Sequence, residues 1–257
     1  MCKVNVGKLN GELVMVKVAD IKVDYINHCG DDLSTVNAAR VSFEKQSDWE
    51  NNTWGHADFE EPNYLSGADT KLINYLAKHK HKSPFNHAFI SVRVKAPVFV
   101  ARQLVKHKFM PINEVSRRYV NSEPEFYIPN NLRAKAENVK QGSSADFVEG
   151  LMYINNIGDG DNMGDVADAV EYTTSEALRI YEGLLAKDVC AEQARMVLPQ
   201  NMMTTWIWSG TLGAFADMLV LRLSSYTQYE TRLVAEQVWD IVEPLFPVSL
   251  KALLENT

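Results

Sequence analysis

A cluster of basic and polar side chains between residues 101 and 120 holds the residue types best suited to chemistry. Its basic members are Arg102, Lys106, His107, Lys108, Arg117 and Arg118. Its other polar members include Gln103, Asn113, Glu114 and Ser116. Cations and a hydroxyl group can bind a phosphate, while amide and carboxylate groups can hydrogen-bond a base edge or a sugar hydroxyl. The cluster therefore predicts a site for a nucleotide or a similar phosphate ligand, with a solvated charged face as the alternative.

The charge of the whole chain makes this cluster stand out. The 257 residues include 26 Lys and Arg against 33 Asp and Glu, which gives a formal net charge of −7. Such a surface repels nucleic acid and anionic membranes, so an anion must bind at a local basic cluster. No stretch approaches the roughly 20 apolar residues of a membrane span, and the N-terminal residues lack the apolar core of a signal peptide. We expect no nucleic-acid partner, no membrane contact and a cytoplasmic location.

The cysteines and histidines do not form a pattern typical of a metal site. Three cysteines are present, without a CxxC pair: Cys2, Cys29 and Cys190. An odd number of unclustered cysteines argues against a disulfide framework and favours a reducing compartment. Three histidines lie close together, at His79, His81 and His87, but their spacing does not match a zinc-binding helix. We predict no metal site and interpret Cys190 as a small buried residue at the start of a helix.

A strand and a helix lead into the basic cluster. Residues 87–96 alternate between apolar and polar side chains, which predicts a strand with one buried face. Pro97 ends this pattern, and residues 98–108 predict a helix. On such a helix Gln103 and Lys106 would share a face, because side chains three apart are neighbours.

An extended run follows the predicted helix. Residues 114–128 predict extended structure, in which Glu114, Ser116 and Arg118 alternate onto one side. A helix end followed by such a run would direct cations, a hydroxyl group and a carboxylate into one pocket.

The remaining segments predict a single α+β domain over residues 1–257, with an antiparallel or mixed sheet flanked by helices. Strands are predicted within 11–26, and helices at 31–43 (capped by Asp32 or Ser34), 70–82, 166–186, 190–198 and twice within 211–245. Loops are predicted at 44–68 and 141–165, from their polar and glycine-rich composition. Four large apolar residues are interpreted as core: Met202, Met203, Trp206 and Trp208.

The basic cluster also resembles the signature of the flavin-dependent thymidylate synthases. That signature is Arg-His-Arg, seven residues and Ser, with Asn-Glu before the Ser and Arg-Tyr after it. This sequence has Lys106-His107-Lys108, seven residues and Ser116, with Asn113-Glu114 and Arg118-Tyr119 in the corresponding places. Lysines therefore replace both outer arginines of the family signature.

Further blocks resemble the family in the same order along the chain. They are residues 32–43, 81–103, 125–129, 192–201 and 221–230. Together the similar regions cover about 33–43, 70–129 and 175–246, and leave outside the first 30 residues and an insertion at 44–68. The chain departs from the family at Thr211, where Asn is usual, and at Tyr226, where His is frequent.

The resemblance implies an enzyme that methylates dUMP to dTMP. In this family methylenetetrahydrofolate donates the carbon, FAD supplies the hydride and NADPH reduces the FAD. No protein side chain adds to the uracil ring. Family members are homotetramers whose active sites lie between subunits, so the resemblance also implies a homotetramer.

The resemblance implies a role for each matched residue. The dUMP contacts would be Gln103, Lys106, Glu114, Ser116, Arg118, Arg195 and Arg222. The FAD contacts would be Ser42, His81, Ser83, Lys106, His107, Lys108, Asn113, Glu114, Thr211, Gly213 and Asp217. The catalytic residues would be Arg222 and Ser116. Arg195 would reach the nucleotide of a neighbouring subunit, and Arg222 would hydrogen-bond the uracil ring and favour its ionised form.

Two other interpretations remain open. A cysteine-dependent thymidylate synthase would need a reactive thiol beside its substrate, and Cys190 lies outside the basic cluster. A protein that binds nucleic acid or another anionic ligand would use residues 101–118, although the acidic net charge argues against nucleic acid.

Overall fold

The computed structural model describes residues 3–9, 12–50, 64–120, 122–136, 143–155 and 162–256. The strands are β1 (Lys3–Leu9), β2 (Glu12–Val18), β3 (Lys22–Cys29), β4 (Phe89–Pro97), β5 (Ile112–Glu114), β6 (Glu125–Phe126), β7 (Arg133–Lys135), β8 (Ser143–Phe147), β9 (Leu151–Asn155), β10 (Asn162–Asp165) and β11 (Met203–Thr211). The α-helices are α1 (Asp32–Arg40), α2 (Gly67–Lys78), α3 (Val98–Leu104), α4 (Ala169–Leu185), α5 (Ala191–Ala194), α6 (Leu212–Arg222), α7 (Tyr229–Val242) and α8 (Pro247–Glu255). Short 3-10 helices lie at Val41–Phe43, Ser83–His87, Val166–Asp168 and Arg195–Val197.

Four of the strands form an antiparallel sheet in the order β3, β4, β11, β5. Along the two middle strands, nine residue pairs run from Met203 opposite Pro97 to Thr211 opposite Phe89. The predicted alternation of β4 is confirmed, and its fully buried face consists of Ile90, Val92, Val94 and Ala96, with the buried Ala88 just before the strand. The α+β class predicted from the sequence is confirmed.

The strand β11 was not predicted, although its tryptophans were expected in the core. Trp206 and Trp208 are buried and two residues apart, so both side chains point to the same face of the sheet. Trp208 lies 5.6 Å from Phe215 of α6, measured between ring centroids. Met203 is also buried, whereas Met202 is half-buried. The core interpretation is therefore confirmed for three of the four residues.

Two apolar cores hold the elements together. The larger core lies between the central sheet and the helices α2, α6, α7 and α8. The smaller core joins the sheet β1–β2–β6 to α4, through Val16, Phe126, Leu178 and Tyr181. No helix in the described part of the chain has both the length and the apolar character that a bilayer crossing needs.

Several predicted helices and strands are confirmed. The helix expected at 70–82 is α2, which begins three residues earlier and ends at Lys78, and the segment 166–186 contains α4. The strands β2 and β3 account for the extended structure expected within 11–26. The segment 211–245 contains α6 and α7 as expected, and α8 follows as a helix that was not predicted.

The predicted cap of the first helix was wrong. Asp31, rather than Asp32 or Ser34, is the N-cap of α1, because Ser34 N–H donates to Asp31 Oδ1 at 2.7 Å. Asp31 N–H donates in return to Ser34 Oγ at 3.2 Å, which completes a capping box. Asp32 instead turns inward, where its carboxylate accepts the backbone N–H groups of Val248 and Ser249 at 2.8 and 2.9 Å. The carboxylate thus caps the N-terminus of α8.

The segments around the basic cluster also differ from prediction. The helix expected at 98–108 ends at Leu104, so Lys106 does not share a helix face with Gln103. The extended run expected at 114–128 is interrupted by a turn at residues 117–119, which removes Arg118 from the alternation. The first difference has a local reason, because the residues after Leu104 form turns and Phe109 adopts a left-handed φ of 61°.

Two more predictions need correction. The loop expected at 141–165 contains β8, β9 and β10, while its residues 156–161 lie outside the described chain. The helix expected at 190–198 is only α5 followed by a 3-10 turn, and Cys190 is exposed rather than buried because it lies outside the helix, at the N-cap. The loop expected at 44–68 is described at 44–50 and from 64 onward, and it ends where α2 begins at Gly67.

Candidate functional site

Arg222, His107 and Gln103 meet at the C-terminal ends of α6 and α3. Arg222 is the last residue of α6, and its Nε–H donates to His107 Nε2 at 3.0 Å. Arg222 Nη2 donates to the backbone oxygen of Gln103 at 3.4 Å. The backbone N–H of His107 donates to the oxygen of Leu104, which places the imidazole in the tight turn after α3. The structure therefore brings together three residues that the resemblance had assigned to nucleotide and flavin.

The electrostatics of this group favour a neutral imidazole beside a charged guanidinium. Burial lowers the pKa of His107, and the positive charge of Arg222 lowers it further, against a smaller opposite effect of Asp217. Burial also lowers the pKa of Arg222, but an arginine whose ordinary pKa exceeds 12 keeps its proton at neutral pH. His107 Nε2 therefore accepts the bond, and the proton of the neutral ring lies on Nδ1.

Glu114, Ser116 and Arg195 line a separate cleft of about 960 Å³. The carboxylate of Glu114 accepts a hydrogen bond from Thr204 Oγ1 at 2.7 Å, which ties the end of β5 to β11. Arg118 follows in the turn, and its backbone N–H and Nε–H both lie 3.4 Å from Ser116 Oγ. This cleft contains the carboxylate, hydroxyl group and cations expected of a nucleotide site.

Glu192, which lines this cleft, contacts both Arg118 and Arg195. Its carboxylate lies 3.9 Å from Arg118 Nη1, and its backbone oxygen accepts Arg195 Nε–H at 3.4 Å. Both arginines are exposed, and of the two Arg195 lines the cleft. The described residues that line this cleft include neither Arg222 nor His107.

Thr211, Gly213 and Asp217 lie on the first turns of α6, beside the 3-10 helix Ser83–His87. Thr211 Oγ1 donates to Asn86 Oδ1 at 2.8 Å. A Cβ atom at Gly213 would lie 2.8 Å from the same oxygen, so any other residue there would displace the Asn86 side chain. Asp217 Oδ1 lies 2.5 Å from Lys82 Nζ.

A small cavity of about 230 Å³ adjoins this third group. Its lining includes His81, Lys82 and Asp217. Ser83 is exposed at the first position of the neighbouring 3-10 helix. Within the residues that the structure describes, no three His, Cys, Asp or Glu side chains group as they would around a metal ion.

The other predicted flavin residues are accessible at separate places. The exposed members are Ser42, Lys106, Lys108 and Asn113. Ser42 lies in the 3-10 helix after α1, Asn113 lies on β5, and the two lysines flank His107. Within one chain, the predicted site residues therefore form three groups, which are centred on Arg222, on Ser116 and on Asp217.

Four contacting residues were not singled out from the sequence: Lys82, Asn86, Thr204 and Gln228. Each bonds a predicted site residue, with Gln228 Oε1 accepting from Gln103 Nε2. Lys82 and Asn86 lie within the block 81–103, which was a usable signal. Thr204 and Gln228 meet partners 90 and 125 positions away, and no local pattern indicates such contacts.

Comparison with known proteins shows a match to one protein family over most of the chain. Residues 24–248 match the family model described as "Thymidylate synthase complementing protein". The chain is 36% identical over 225 residues to the flavin-dependent thymidylate synthase of Kosmotoga olearia, which covers 88% of this chain and 86% of that protein. It is 34% identical over 234 residues to the flavin-dependent thymidylate synthase of Thermus thermophilus, covering 91% of this chain and 76% of that protein.

Two solved structures of a nucleotide methylase are similar to the chain over most of its length. The chain is similar to the UMP/dUMP methylase PolB from Streptomyces cacaoi bound with 5-Br dUMP, with a TM-score of 0.67 and 27% identity, over 91% of this chain and 94% of that chain. The same methylase bound with 5-Br UMP gives a TM-score of 0.68 and 26% identity, over 93% and 95%.

Proposed function

Because the chain belongs to the family of flavin-dependent thymidylate synthases, we propose that it converts dUMP to dTMP with methylenetetrahydrofolate as carbon donor, FAD as flavin and NADPH as reductant. The observation that supports this most strongly is the contact of Arg222 with His107 and Gln103, since it holds a cation in one place at the end of α6. A uracil ring becomes a better nucleophile at carbon as negative charge builds on its carbonyl and N3 atoms. A fixed guanidinium stabilises such a charge.

His107 supports Arg222 as a neutral acceptor. A protonated imidazole at 3.0 Å would repel the guanidinium and would offer a proton where an acceptor is needed. The lowered pKa of His107, caused first by burial, keeps the ring neutral at physiological pH. Two of the donor groups of Arg222 are used within the chain, and we assign Arg222 Nη1 to the uracil.

The nucleotide's phosphate and sugar are assigned to the cleft around Ser116. Arg195 lines this cleft, and Arg118 lies beside it with Nε–H 3.4 Å from Ser116 Oγ. Both supply exposed cations, and Ser116 supplies a hydroxyl group. Glu114, held by Thr204, supplies an acceptor for a sugar or base donor. Lys106, exposed in the turn after α3, is also assigned to the nucleotide.

We propose that two copies of the chain complete each site in a homotetramer. The support is that Ser116 and Arg222 belong to different groups within one chain, although both are assigned to the same nucleotide. A second copy can bring its own cluster of cations to the Arg222 group of the first. Arg195 is assigned to such a contribution.

The residues present fit an FAD molecule. The turn after α3 offers the exposed Lys106 and Lys108 for the diphosphate. Gly213 lies close to Asn86, so the start of α6 carries no side chain at that point. The other residues assigned to FAD are Ser42, His81, Ser83, His107, Asn113, Glu114, Thr211 and Asp217. When bound, the flavin supplies the reducing hydride.

The test combines a spectrum with a turnover assay. Purified protein, supplemented with FAD, should show flavin absorption bands and should form dTMP only when methylenetetrahydrofolate and NADPH are both present. A protein that takes up no FAD, or that forms dTMP without it, contradicts the proposal.

A further inference from the structure

The side chain of Gln103 begins a chain of hydrogen bonds that ends at a buried ion pair. Gln103 Nε2 donates to Gln228 Oε1, and Gln228 Nε2 donates to Glu230 Oε2 at 3.2 Å. Glu230 Oε1 accepts from Arg133 Nη2 at 2.6 Å. Glu230 is only 4% exposed, so this carboxylate is a buried charge whose partner is Arg133.

We call this chain of hydrogen bonds from Gln103 through Gln228 and Glu230 to Arg133 the relay. The chemistry of its two ends fixes the direction of every hydrogen bond in it. A guanidinium can only donate, and a carboxylate can only accept. Gln228 must therefore turn its Nε2 toward Glu230 and its Oε1 toward Gln103. Gln103 must in turn direct its Nε2 inward, so its Oε1 is left as an acceptor that faces away from the relay.

The anchoring end of the relay is held in place from several sides. Arg133 Nε donates to Ser143 Oγ at 2.8 Å, and its guanidinium lies 4.5 Å from the ring centroid of Tyr229. Tyr229 is the first residue of α7, and Glu230 follows it. A buried pair with hydrogen bonds on both members keeps a single geometry, since any rotation would leave a charge unpaired.

The other end of the relay touches the Arg222 group. Gln103 receives a hydrogen bond from Arg222 on its backbone oxygen, while its side chain bonds Gln228. Gln103 therefore connects the relay to the guanidinium that is assigned to the uracil.

We propose that Glu230 is a positioning residue for the nucleotide. It acts through Gln228 to make Gln103 present a carbonyl oxygen, which accepts a hydrogen bond from an N–H or O–H group of dUMP. This inference rests on the proposed function, because it assumes that Gln103 contacts the nucleotide. Glu230 itself does not touch the substrate.

The substitution Glu230→Gln tests the direction of the relay with little change of shape. Its new amide must turn the oxygen toward Arg133 and the nitrogen toward Gln228. Gln228 then has to reverse, and so does Gln103, which would present Nε2 in place of Oε1. One acceptor at the nucleotide becomes a donor, and we expect the Kd of the FAD-loaded enzyme for dUMP to rise about tenfold.

A double-mutant cycle separates positioning from general damage to the fold. The Kd for dUMP is measured by titration calorimetry on FAD-loaded wild type, Gln103→Ala, Glu230→Gln and the double variant. If Glu230 acts through Gln103, Glu230→Gln changes the Kd by less than about twofold once Gln103 is alanine. A rise of the same factor in both backgrounds, or no rise in the wild-type background, overturns the inference.

Two further variants complete the test. Gln228→Met breaks the relay but leaves the ion pair of Glu230 and Arg133 intact, so it takes the place of Glu230→Gln in the cycle if that variant does not fold. Glu236→Gln is the matched control, because Glu236 lies exposed on the same helix and pairs with Arg232 at 3.4 Å. It should leave the Kd unchanged.

The failure of the proposed function gives a different result. A wild-type protein that does not bind dUMP contradicts the proposed function. If the wild type binds dUMP and the Gln103→Ala variant binds it equally well, this result contradicts only the role of Gln103, and with it the relay.

Discussion

Arg222 and His107 lie 115 positions apart in the sequence and share a 3.0 Å hydrogen bond in which the arginine donates and the imidazole accepts. Each residue constrains the other. Burial and, to a smaller extent, the guanidinium lower the pKa of His107 and keep the imidazole neutral. The imidazole in turn keeps the guanidinium in one orientation. The pair therefore acts as a unit, and its two members give different experimental signatures.

Replacement of Arg222 by alanine should slow dTMP formation strongly while FAD stays bound. Loss of one fixed cation at a developing negative charge costs about 10²- to 10³-fold in turnover. The measurement is kcat for dTMP together with the flavin absorbance per protein chain.

Arg222→Lys is the matched control for charge, because an ammonium group is a point charge rather than a fork of donors. We expect it to recover only a small part of the lost rate. Wild-type turnover in the alanine variant would remove Arg222 from the mechanism.

His107 should make stability sensitive to mildly acidic pH. Its pKa in the folded protein is below the ordinary value of 6.5, mainly through burial. As pH falls below 6.5, the unfolded chain binds this proton before the folded chain does, so stability is lost until the folded pKa is passed.

The measurement is the urea midpoint of wild type and of His107→Gln at pH 7.5, 6.5 and 5.5. The glutamine offers an acceptor without a titratable ring, so its loss of stability across this range should be smaller. Identical pH profiles for the two proteins would contradict the lowered pKa.

Lysines 106 and 108 should weaken FAD binding relative to arginine. A guanidinium can form two parallel bonds to a phosphate, which an ammonium group cannot. We expect the double variant Lys106→Arg, Lys108→Arg to bind FAD roughly three- to tenfold more tightly in a fluorescence titration. Lys78→Arg, on the exposed last turn of α2, is the control and should bind FAD like wild type.

Asp32 should contribute to stability through α8 rather than through α1. Asp32→Ala leaves the N–H groups of Val248 and Ser249 without their acceptor, and we expect a loss of roughly 2 kcal/mol in the free energy of unfolding. Asp240→Ala, at an exposed position of α7, should stay within about 0.5 kcal/mol of wild type. Equal losses in the two variants would argue against the cap.

The cysteines should be dispensable for turnover. Simultaneous replacement of Cys2, Cys29 and Cys190 by serine should leave kcat within about twofold of wild type, because the flavin route needs no thiol nucleophile. Cys29 and Cys190 are both exposed, so the triple variant removes every thiol that could act as the nucleophile. Loss of dTMP formation with FAD still bound would favour the cysteine-dependent alternative.

Elements with a strong period were predictable from the sequence, and elements set by distant partners were not. The alternation that ends at Pro97 identified β4 because one face of that strand is completely buried. The strand β11 alternates too, but only its Met203, Trp206 and Trp208 were interpreted, and they were interpreted as core residues without a strand. The helix α3 was predicted four residues too long, since nothing in the sequence marks the left-handed conformation of Phe109.

The site shows the same limit. Sequence similarity indicated that Gln103, His107 and Arg222 take part, but it could not show that they touch each other. Contacts such as that of Thr204 with Glu114 depend on how strands pair, which a local pattern does not specify. The position of Asp32 beside α8 likewise requires the folded chain to bring residue 32 to residue 248.

The strand β11 also sets a limit on how the site can close. Thr204 near its start holds Glu114, and Thr211 at its end holds Asn86. Seven strand residues span roughly 23 Å, and an odd spacing turns the two side chains to opposite sides of the sheet. The pairing of β11 with β4 is continuous from Met203 to Thr211, so bending within this strand does not bring its two ends around one small nucleotide. We expect closure in this enzyme to come from the docking of another copy rather than from a moving lid.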